Sequence, residues 1–303
     1  MRRSVPSARE RGGPVRPGFT LVEVLVSLAV VAVVASMLLP GLAGARESAR
    51  RAACLSNQRQ LGAAVWAYGG EFRGVAPPAA SRSLRNLDRW HGRRERVSDA
   101  FAPGGGALSA YMGEEGGAAI GARACPSFAG TLALLTPGGM GGGGGGGGEG
   151  WGFERSCGGY GYNARYVGEW RVRASGGVWI RRSDRRGACL DTFADPAGTV
   201  LFADAALEYP GAPEGVIEYS FIEPRWWPDL PGHRPDPSMH FRHGGTRGGA
   251  GECVAAMLDG HARGFRRGLA WSSGIYGESA TDPRTGWPDG ACGADDNGLF
   301  DFE

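Results

Sequence analysis

Residues 18–39 read G-F-T-L-V-E-V-L-V-S-L-A-V-V-A-V-V-A-S-M-L-L. The 21 residues from Phe19 to Leu39 carry a single charge, on Glu23. A helix of this length spans about 30 Å, which matches the hydrocarbon core of a bilayer. The segment therefore predicts a transmembrane helix, around which the remaining chain is arranged.

Residues 1–18 form a leader with five arginines and one acidic residue. Positive charge beside a transmembrane segment favours the cytoplasmic side, so we expect the leader to stay inside and the following chain to cross the membrane. Without the leader, the 33 basic and 31 acidic residues become 28 and 30, a net charge of −2. This balance gives no electrostatic surface for nucleic acid, and no nucleic-acid partner is predicted.

Glu23 is unusual because a carboxylate costs about 2.5 to 3.5 kcal/mol at the centre of a bilayer. It should therefore have a partner or a use. If the chain is cut after Gly18, the new ammonium group of Phe19 can meet Glu23 of a neighbouring copy. Such a pair would set the axial stagger between subunits in a bundle of helices.

The basic leader followed by G-F-T-L-V-E resembles the type III signal of type IV pilins and of type II secretion pseudopilins. The resemblance implies that a prepilin peptidase cuts after Gly18 and methylates Phe19. Glu23 would be the fifth-position glutamate of the mature chain, and Pro40 lies where many members have a helix-kinking proline. The implied partners are the prepilin peptidase, other pilin or pseudopilin subunits and inner-membrane lipid.

Two other readings of the N-terminus remain open. Ala43-Gly44-Ala45 fits the cleavage site of a secretory signal peptide, but the usual apolar region is about 7 to 15 residues and this one is longer and contains an acid. The third reading is an uncleaved membrane anchor.

After Pro40 the pattern becomes amphipathic, with Leu61, Ala64, Val65 and Tyr68 on one helical stripe. We expect Pro40 to bend or loosen the helix, because proline costs about 3 kcal/mol in a helix interior. The predicted organisation is a leader (1–18), a transmembrane or filament-core helix (19–39), an amphipathic helix (40–68) and a globular head (69–303) with a mobile glycine-rich loop at 138–150.

Strand-like runs rich in β-branched and aromatic residues occur at Trp170–Val172, Gly177–Ile180 and Thr199–Ala203. Asp259-Gly260 separates two further runs and predicts a hairpin with a type I′ turn. The predicted fold class is α+β: a long N-terminal transmembrane and amphipathic helix packed on an antiparallel β-sheet head, pilin-like and rich in loops.

Several landmarks resemble a pseudopilin-like group that is abundant in planctomycetes. They are the A-R-E-S-A-R-R helix at 45–51, C-P-S at 125–127, Y-G-Y-N at 160–163 and an H-x9-D-G-like element. Here 15 residues, not nine, separate His243 from Asp259-Gly260. This departure leaves the role of His243 open.

Two metal sites are conceivable. Imidazole and carboxylate groups at His240, His243, Asp259 and His261 suit a transition metal, although the hairpin turn already explains Asp259. The tail suits Ca²⁺ by its density of oxygen ligands, although it lacks EF-hand spacing, and in composition and place it resembles the calcium-binding C-terminal loop of major pseudopilins. The alternative is a solvated acidic end. Its candidate ligands are Asp295, Asp296, Asn297 and Asp301.

The six cysteines permit up to three disulfides in an exported chain. None forms a C-x-x-C pair, which disfavours a zinc site built from thiolates. Cys54 lies on the predicted long helix and also suits a buried free thiol.

These observations predict a structural subunit of a type IV pilus or a type II secretion pseudopilus, not an enzyme, with no certain cofactor. Its head would lie on the periplasmic side of the inner membrane or in an extracellular filament. One alternative is a membrane-anchored or exported binding protein that does not polymerise. The other is a secreted metal-dependent enzyme, which the lack of G-x-S-x-G and H-E-x-x-H motifs disfavours.

Overall fold

The computed structural model describes residues 20–81, 86–97, 99, 101–113, 124–128, 157–175, 179–208, 215–230, 232–233, 235–245, 251–269, 284–289 and 298–300. The chain divides into two compact units, Met1–Arg46 and Glu47–Glu303.

One long helix, α1, runs over Leu21–Glu71 and contains 51 residues. The predicted N-terminal helix is therefore confirmed. The helical backbone continues through Pro40, so the proline does not end it. In the first unit the large apolar side chains of α1, up to Leu42, are 45–75% exposed. By length and composition the helix is able to cross a membrane.

The second unit contains the strands. In chain order they are β1 Asp88–Arg89, β2 Gly92–Arg93, β3 Tyr160–Tyr162, β4 Trp170–Arg173, β5 Trp179–Ser183, β6 Val200–Asp204, β7 Leu207–Glu208, β8 Val216–Ile217, β9 Met239–His240, β10 Glu252–Met257, β11 Ala262–Leu269 and β12 Thr285–Pro288. Two of the runs predicted as strands correspond to β4 and β6 and are confirmed. Of the third, Gly177 and Val178 lie outside the described residues, and Trp179 and Ile180 belong to β5.

Within the described residues the main sheet has six strands in the order β3-β6-β10-β11-β12-β9, and each neighbouring pair is antiparallel. The long central strand β10 pairs with β6 on one side and with β11 on the other. Smaller antiparallel pairs form between β1 and β2, β4 and β5, and β7 and β8.

The part of α1 from Glu47 onward packs on this sheet. Leu61 and Val65 of the predicted stripe are fully buried, as expected from their spacing. Gln58 Nε2 donates to the carbonyl of Val254 at 3.3 Å, and Trp66 Nε1 donates to the carbonyl of Leu258 at 2.6 Å. A helix on an antiparallel sheet is the α+β arrangement that the sequence predicts.

The hairpin around Asp259-Gly260 is present, but the predicted turn type is wrong. Met257 N donates to His261 O at 2.8 Å, and Gly260 N donates to Met257 O at 3.0 Å. Gly260 has φ 94°, and the residues before it keep negative φ. Because the loop has three residues, a type I turn followed by a left-handed glycine closes it, instead of the two-residue type I′ turn.

Candidate functional site

The first candidate is the N-terminal end of α1. Thr20 precedes the helix, and its amide and hydroxyl donate to Glu23 Oε2 at 2.8 and 2.7 Å. Glu23 N donates back to Thr20 Oγ1 at 3.3 Å. Thr20-x-x-Glu23 is thus a capping box, which satisfies amide groups that the first turn of a helix leaves unpaired. In this chain the conspicuous acid has a local structural partner.

The other residues predicted for processing and assembly are less informative. Gly18 and Phe19 lie outside the described residues. Pro40 belongs to the helical backbone of α1.

The second candidate is a cluster of four buried side chains in the second unit. Cys54 comes from α1, and Cys125 from the turn at 124–128. Asp204 is the last residue of β6, and His243 follows β9 and bridges to the start of β10 at Glu252. Distant parts of the chain therefore supply two thiols, a carboxylate and an imidazole to one place in the core.

The ligand-type atoms of these four residues all lie within 4.8 Å of one another. Cys54 Sγ is 3.4 Å from Cys125 Sγ and 3.2 Å from Asp204 Oδ1. His243 Nε2 is 3.5 Å from Cys125 Sγ and 3.2 Å from Asp204 Oδ2. The four groups are therefore in mutual contact in the core.

A second layer of polar groups holds these side chains in place. His243 Nδ1 lies 3.3 Å from Glu47 Oε1 and 3.3 Å from Ser127 Oγ, so its other nitrogen, Nε2, is turned toward the cluster. Val254 N donates to Asp204 Oδ2 at 2.8 Å. The orientation of both the imidazole and the carboxylate is thereby fixed.

On the other side, Tyr160 Oη lies 3.2 Å from Cys54 Sγ. Asn57 Nδ2 donates to the same hydroxyl at 3.1 Å. This contact gives Tyr160, the first tyrosine of Y-G-Y-N, a definite place beside the cluster.

Burial and neighbouring charges shift the pKa values of the side chains in the cluster. Burial alone would raise the pKa of the Cys125 thiol, but the hydrogen bond from Cys54, the charge of Arg242 and the hydrogen bond with His243 lower that pKa to about 6. Burial, together with Cys125 and Asp204, raises the pKa of the Cys54 thiol. Burial would lower the pKa of His243, but the hydrogen bonds with Asp204 and Cys125 raise it to about 10.

Arg242 is the nearby permanent charge. Its Nη2 donates to the carbonyls of Gly159 at 3.0 Å and Ala205 at 2.8 Å. Burial would raise the pKa of Asp204, but Arg242 and His243 keep it below its usual value. The carboxylate is therefore ionised in the folded protein.

Two chemistries use thiols beside an imidazole. A nucleophilic cysteine needs access to a substrate, whereas Cys125 and Cys54 are both 0% exposed. Metal binding needs converging donor atoms and tolerates burial. The arrangement is therefore suited to holding an ion, not to attacking a substrate.

The transition-metal set considered for His240, His243, Asp259 and His261, which the sequence already disfavoured, does not come together. Asp259 Oδ1 lies 2.6 Å from His261 Nδ1 at the exposed tip of the hairpin. His243 pairs with Glu252 at the opposite end of β10, so the length of that strand separates it from Asp259. The predicted calcium ligands of the tail, and the glycine-rich loop at 138–150, lie outside the described residues.

The sequence analysis missed the cluster because it searched for thiolate zinc sites only by C-x-x-C spacing. Cys54 and Cys125 are 71 positions apart and meet only in the folded head. Five of the six cysteines fall within the described residues, and none of these five is joined in a disulfide: Cys54, Cys125, Cys157, Cys189 and Cys253. The expectation of a buried free thiol at Cys54 is confirmed.

Comparison with known proteins gives one match. Residues 16–39 match a family model described as the prokaryotic N-terminal methylation motif. The matched segment includes the predicted cleavage position Gly18 and extends along α1 through Leu39, so the chain carries a type IV pilin-like signal. Comparisons with curated proteins and with solved structures found no match. The likeness of the head to the H-x9-D-G group stays a prediction.

Proposed function

We propose that this protein is a structural pilin-like or pseudopilin subunit. A prepilin peptidase cleaves it after Gly18 and methylates Phe19, and α1 then assembles it into a type IV pilus or a type II secretion pseudopilus. The observation that carries the proposal is the match of residues 16–39 to the methylation motif. In this role the protein is not an enzyme.

The exposed apolar half of α1 supports the proposal. Its large side chains from Leu21 to Leu42 need either lipid or other helices as neighbours. The same apolar surface is used both before and after assembly of the filament. It anchors the processed chain in the inner membrane with the head on the periplasmic side, and it packs against other subunits in the filament.

Glu23 has a role in each stage. In the uncut chain it caps α1 through Thr20. After cleavage the ammonium group of Phe19 in a neighbouring subunit supplies an opposite charge, and pairing removes the cost of a carboxylate in apolar surroundings. The cap needs only an acceptor at this position, which glutamine also provides, whereas the pairing needs the negative charge.

This difference defines the experiment. The wild type, Glu23→Gln and Thr20→Ala are expressed with a prepilin peptidase and the cognate assembly machinery. The mass of the amino terminus is measured, and filaments are quantified by shearing and sedimentation. We expect N-methylated Phe19 in all three chains, loss of filaments in Glu23→Gln, and filaments in Thr20→Ala.

Other outcomes contradict specific parts of the proposal. Normal filaments from Glu23→Gln would mean that the charge does not register the subunits. Processed wild-type chain that forms no filaments would favour a membrane-anchored binding protein. An amino terminus at Arg46 or an intact Met1 would reject prepilin processing altogether.

A further inference from the structure

We propose that Cys54, Cys125, Asp204 and His243 form a structural zinc site that joins the part of α1 from Glu47 onward to the rest of the second unit. The inference concerns only the second unit and does not depend on processing after Gly18. It stands on the convergence of four ligand-type atoms in the core.

The donor atoms lie close enough together to surround one ion. Ligand atoms about 2.0 to 2.3 Å from a zinc ion lie about 3.3 to 3.8 Å from each other in a tetrahedron. Four of the six pairs are in close contact: 3.4 Å between the two sulfur atoms, 3.5 Å from Cys125 Sγ to His243 Nε2, 3.2 Å from Cys54 Sγ to Asp204 Oδ1 and 3.2 Å from His243 Nε2 to Asp204 Oδ2. All four ligand atoms lie within 4.8 Å of one another, so any pair farther apart than about 3.8 Å must draw together to complete the tetrahedron.

The second layer is the one that metal-bound histidines require. A histidine that binds zinc through one nitrogen usually donates the other N–H to a carboxylate or carbonyl, which fixes the tautomer. His243 presents Nε2 to the cluster and Nδ1 to Glu47 Oε1 at 3.3 Å. Asp204 is in turn held by the amide of Val254 at 2.8 Å.

The charges also balance. Two thiolates and one carboxylate contribute −3, and a divalent ion with the guanidinium of Arg242 restores neutrality in a buried place. Burying an uncompensated charge is costly, so this balance matters for the stability of the head. Thiolates together with an imidazole favour zinc over Mg²⁺ or Ca²⁺, which prefer oxygen ligands.

The same residues explain what the ion would do. The protein supplies all four ligands, and a closed coordination shell is typical of structural zinc, not of catalytic zinc. Cys54 comes from α1 and the other three ligands come from the body of the head, so the ion would join them. A cleft beside the cluster is lined by Arg51, Glu252, Arg266 and His243.

A disulfide between Cys54 and Cys125 is the competing outcome. A disulfide would use only the two cysteines of the cluster. It would not explain why His243 and Asp204 also contact the sulfur atoms. Bound zinc would instead keep both sulfur atoms as thiolates in an oxidising compartment. The two outcomes differ in metal content and in thiol state.

The first measurement uses the wild-type full chain, purified in detergent after growth with zinc. Metal content is determined by elemental mass spectrometry, and thiols are alkylated after unfolding. We expect stoichiometric zinc and alkylation of both Cys54 and Cys125. Replacement by Co²⁺ should give the visible bands of tetrahedral cobalt and a thiolate charge-transfer band. Zinc-free protein after zinc exposure, or a Cys54–Cys125 disulfide, would overturn the proposal.

Matched variants locate the ion. Cys125→Ser and His243→Gln should lose the zinc, whereas Cys189→Ser and His261→Gln, which change the same residue types outside the cluster, should retain it. Glu47→Gln should weaken zinc binding by about 10- to 100-fold through the orientation of His243. Equal zinc in all variants, or equal loss in the controls, would reject this ligand set.

If Cys125→Ser or His243→Gln fails to fold, the role of zinc can still be tested by removing the ion from the wild-type protein. A strong chelator should lower its melting temperature, and added zinc should restore it, because an ion that binds only the folded state stabilises that state. An unchanged melting temperature after complete removal of zinc would contradict a structural role.

Discussion

Gly106 occupies a place where only glycine fits. A Cβ atom there would overlap the backbone of Trp90, His91 and Gly92. Backbone atoms cannot rotate away, and overpacking of this kind costs about 1 to 3 kcal/mol. We expect Gly106→Ala to lower the melting temperature of the purified chain clearly. Gly104→Ala is the matched control, because nothing lies within 4 Å of its Cβ position. Equal melting temperatures for the two variants would contradict the crowding.

The Y-G-Y-N landmark shows how far single residues could be read in advance. Asn163 Nδ2 donates to the carbonyl of Val200 at 2.9 Å and to that of Phe300 at 2.8 Å, and a Cβ at Gly161 would lie 2.6 Å from the backbone carbonyl atoms of Phe221. The sequence shows the Y-G-Y-N pattern, but the residues that Asn163 contacts lie 37 and 137 positions away along the chain. The reason for each residue is therefore visible only in the folded head.

α1 is the element that the sequence predicts best. Apolar residues at helical spacing identify its buried face, because that periodicity is local and does not depend on the partner. Cys54 and Gln58 lie on the same buried stripe, and both are 0% exposed. Cys54 contacts Asp204 within the cluster, and Gln58 donates to the backbone of β10. Periodicity alone does not identify these partners.

Gly62 weakens this element at a place where a larger residue fits. It lies inside α1, and a Cβ atom would meet Leu201 Cδ2 at 3.9 Å and Ala256 Cβ at 4.0 Å, which are ordinary contacts. Because alanine is favoured over glycine in a helix interior, Gly62→Ala should stabilise the head by about 0.5 to 1 kcal/mol. Denaturant unfolding of the purified chain measures the change.

Gly69→Ala, in the last turns of the same helix, is the control for Gly62→Ala. Its Cβ would lie 2.7 Å from Leu190 Cδ1, so the gain in helix propensity should be offset by crowding. Equal stabilisation by both substitutions would show that the contact with Leu190 does not limit the packing of α1. Destabilisation by Gly62→Ala would mean that the helix lies closer to β6 and β10 than described.

For the molecule as a whole, the two parts of the chain differed in how much could be predicted. The N-terminal signal is continuous in sequence, so its residue order alone identifies it. The buried cluster depends on the joint placement of α1, a turn, β6 and the segment after β9. No local pattern links these elements, since the sheet order that brings them together is set by long-range pairing.

The same division predicts that the head folds without the membrane segment. The described buried apolar residues begin at Cys54, whereas the exposed apolar surface of the first unit ends at Leu42. A chain consisting of residues 47–303 keeps the stripe of α1 that packs on the sheet and loses the surface that needs lipid. We expect it to be soluble without detergent and to unfold cooperatively on heating, as followed by circular dichroism and sedimentation velocity. The full chain should require detergent under the same conditions. Aggregation of the truncated chain, or a gradual loss of structure on heating, would mean that the first unit contributes to the stability of the head.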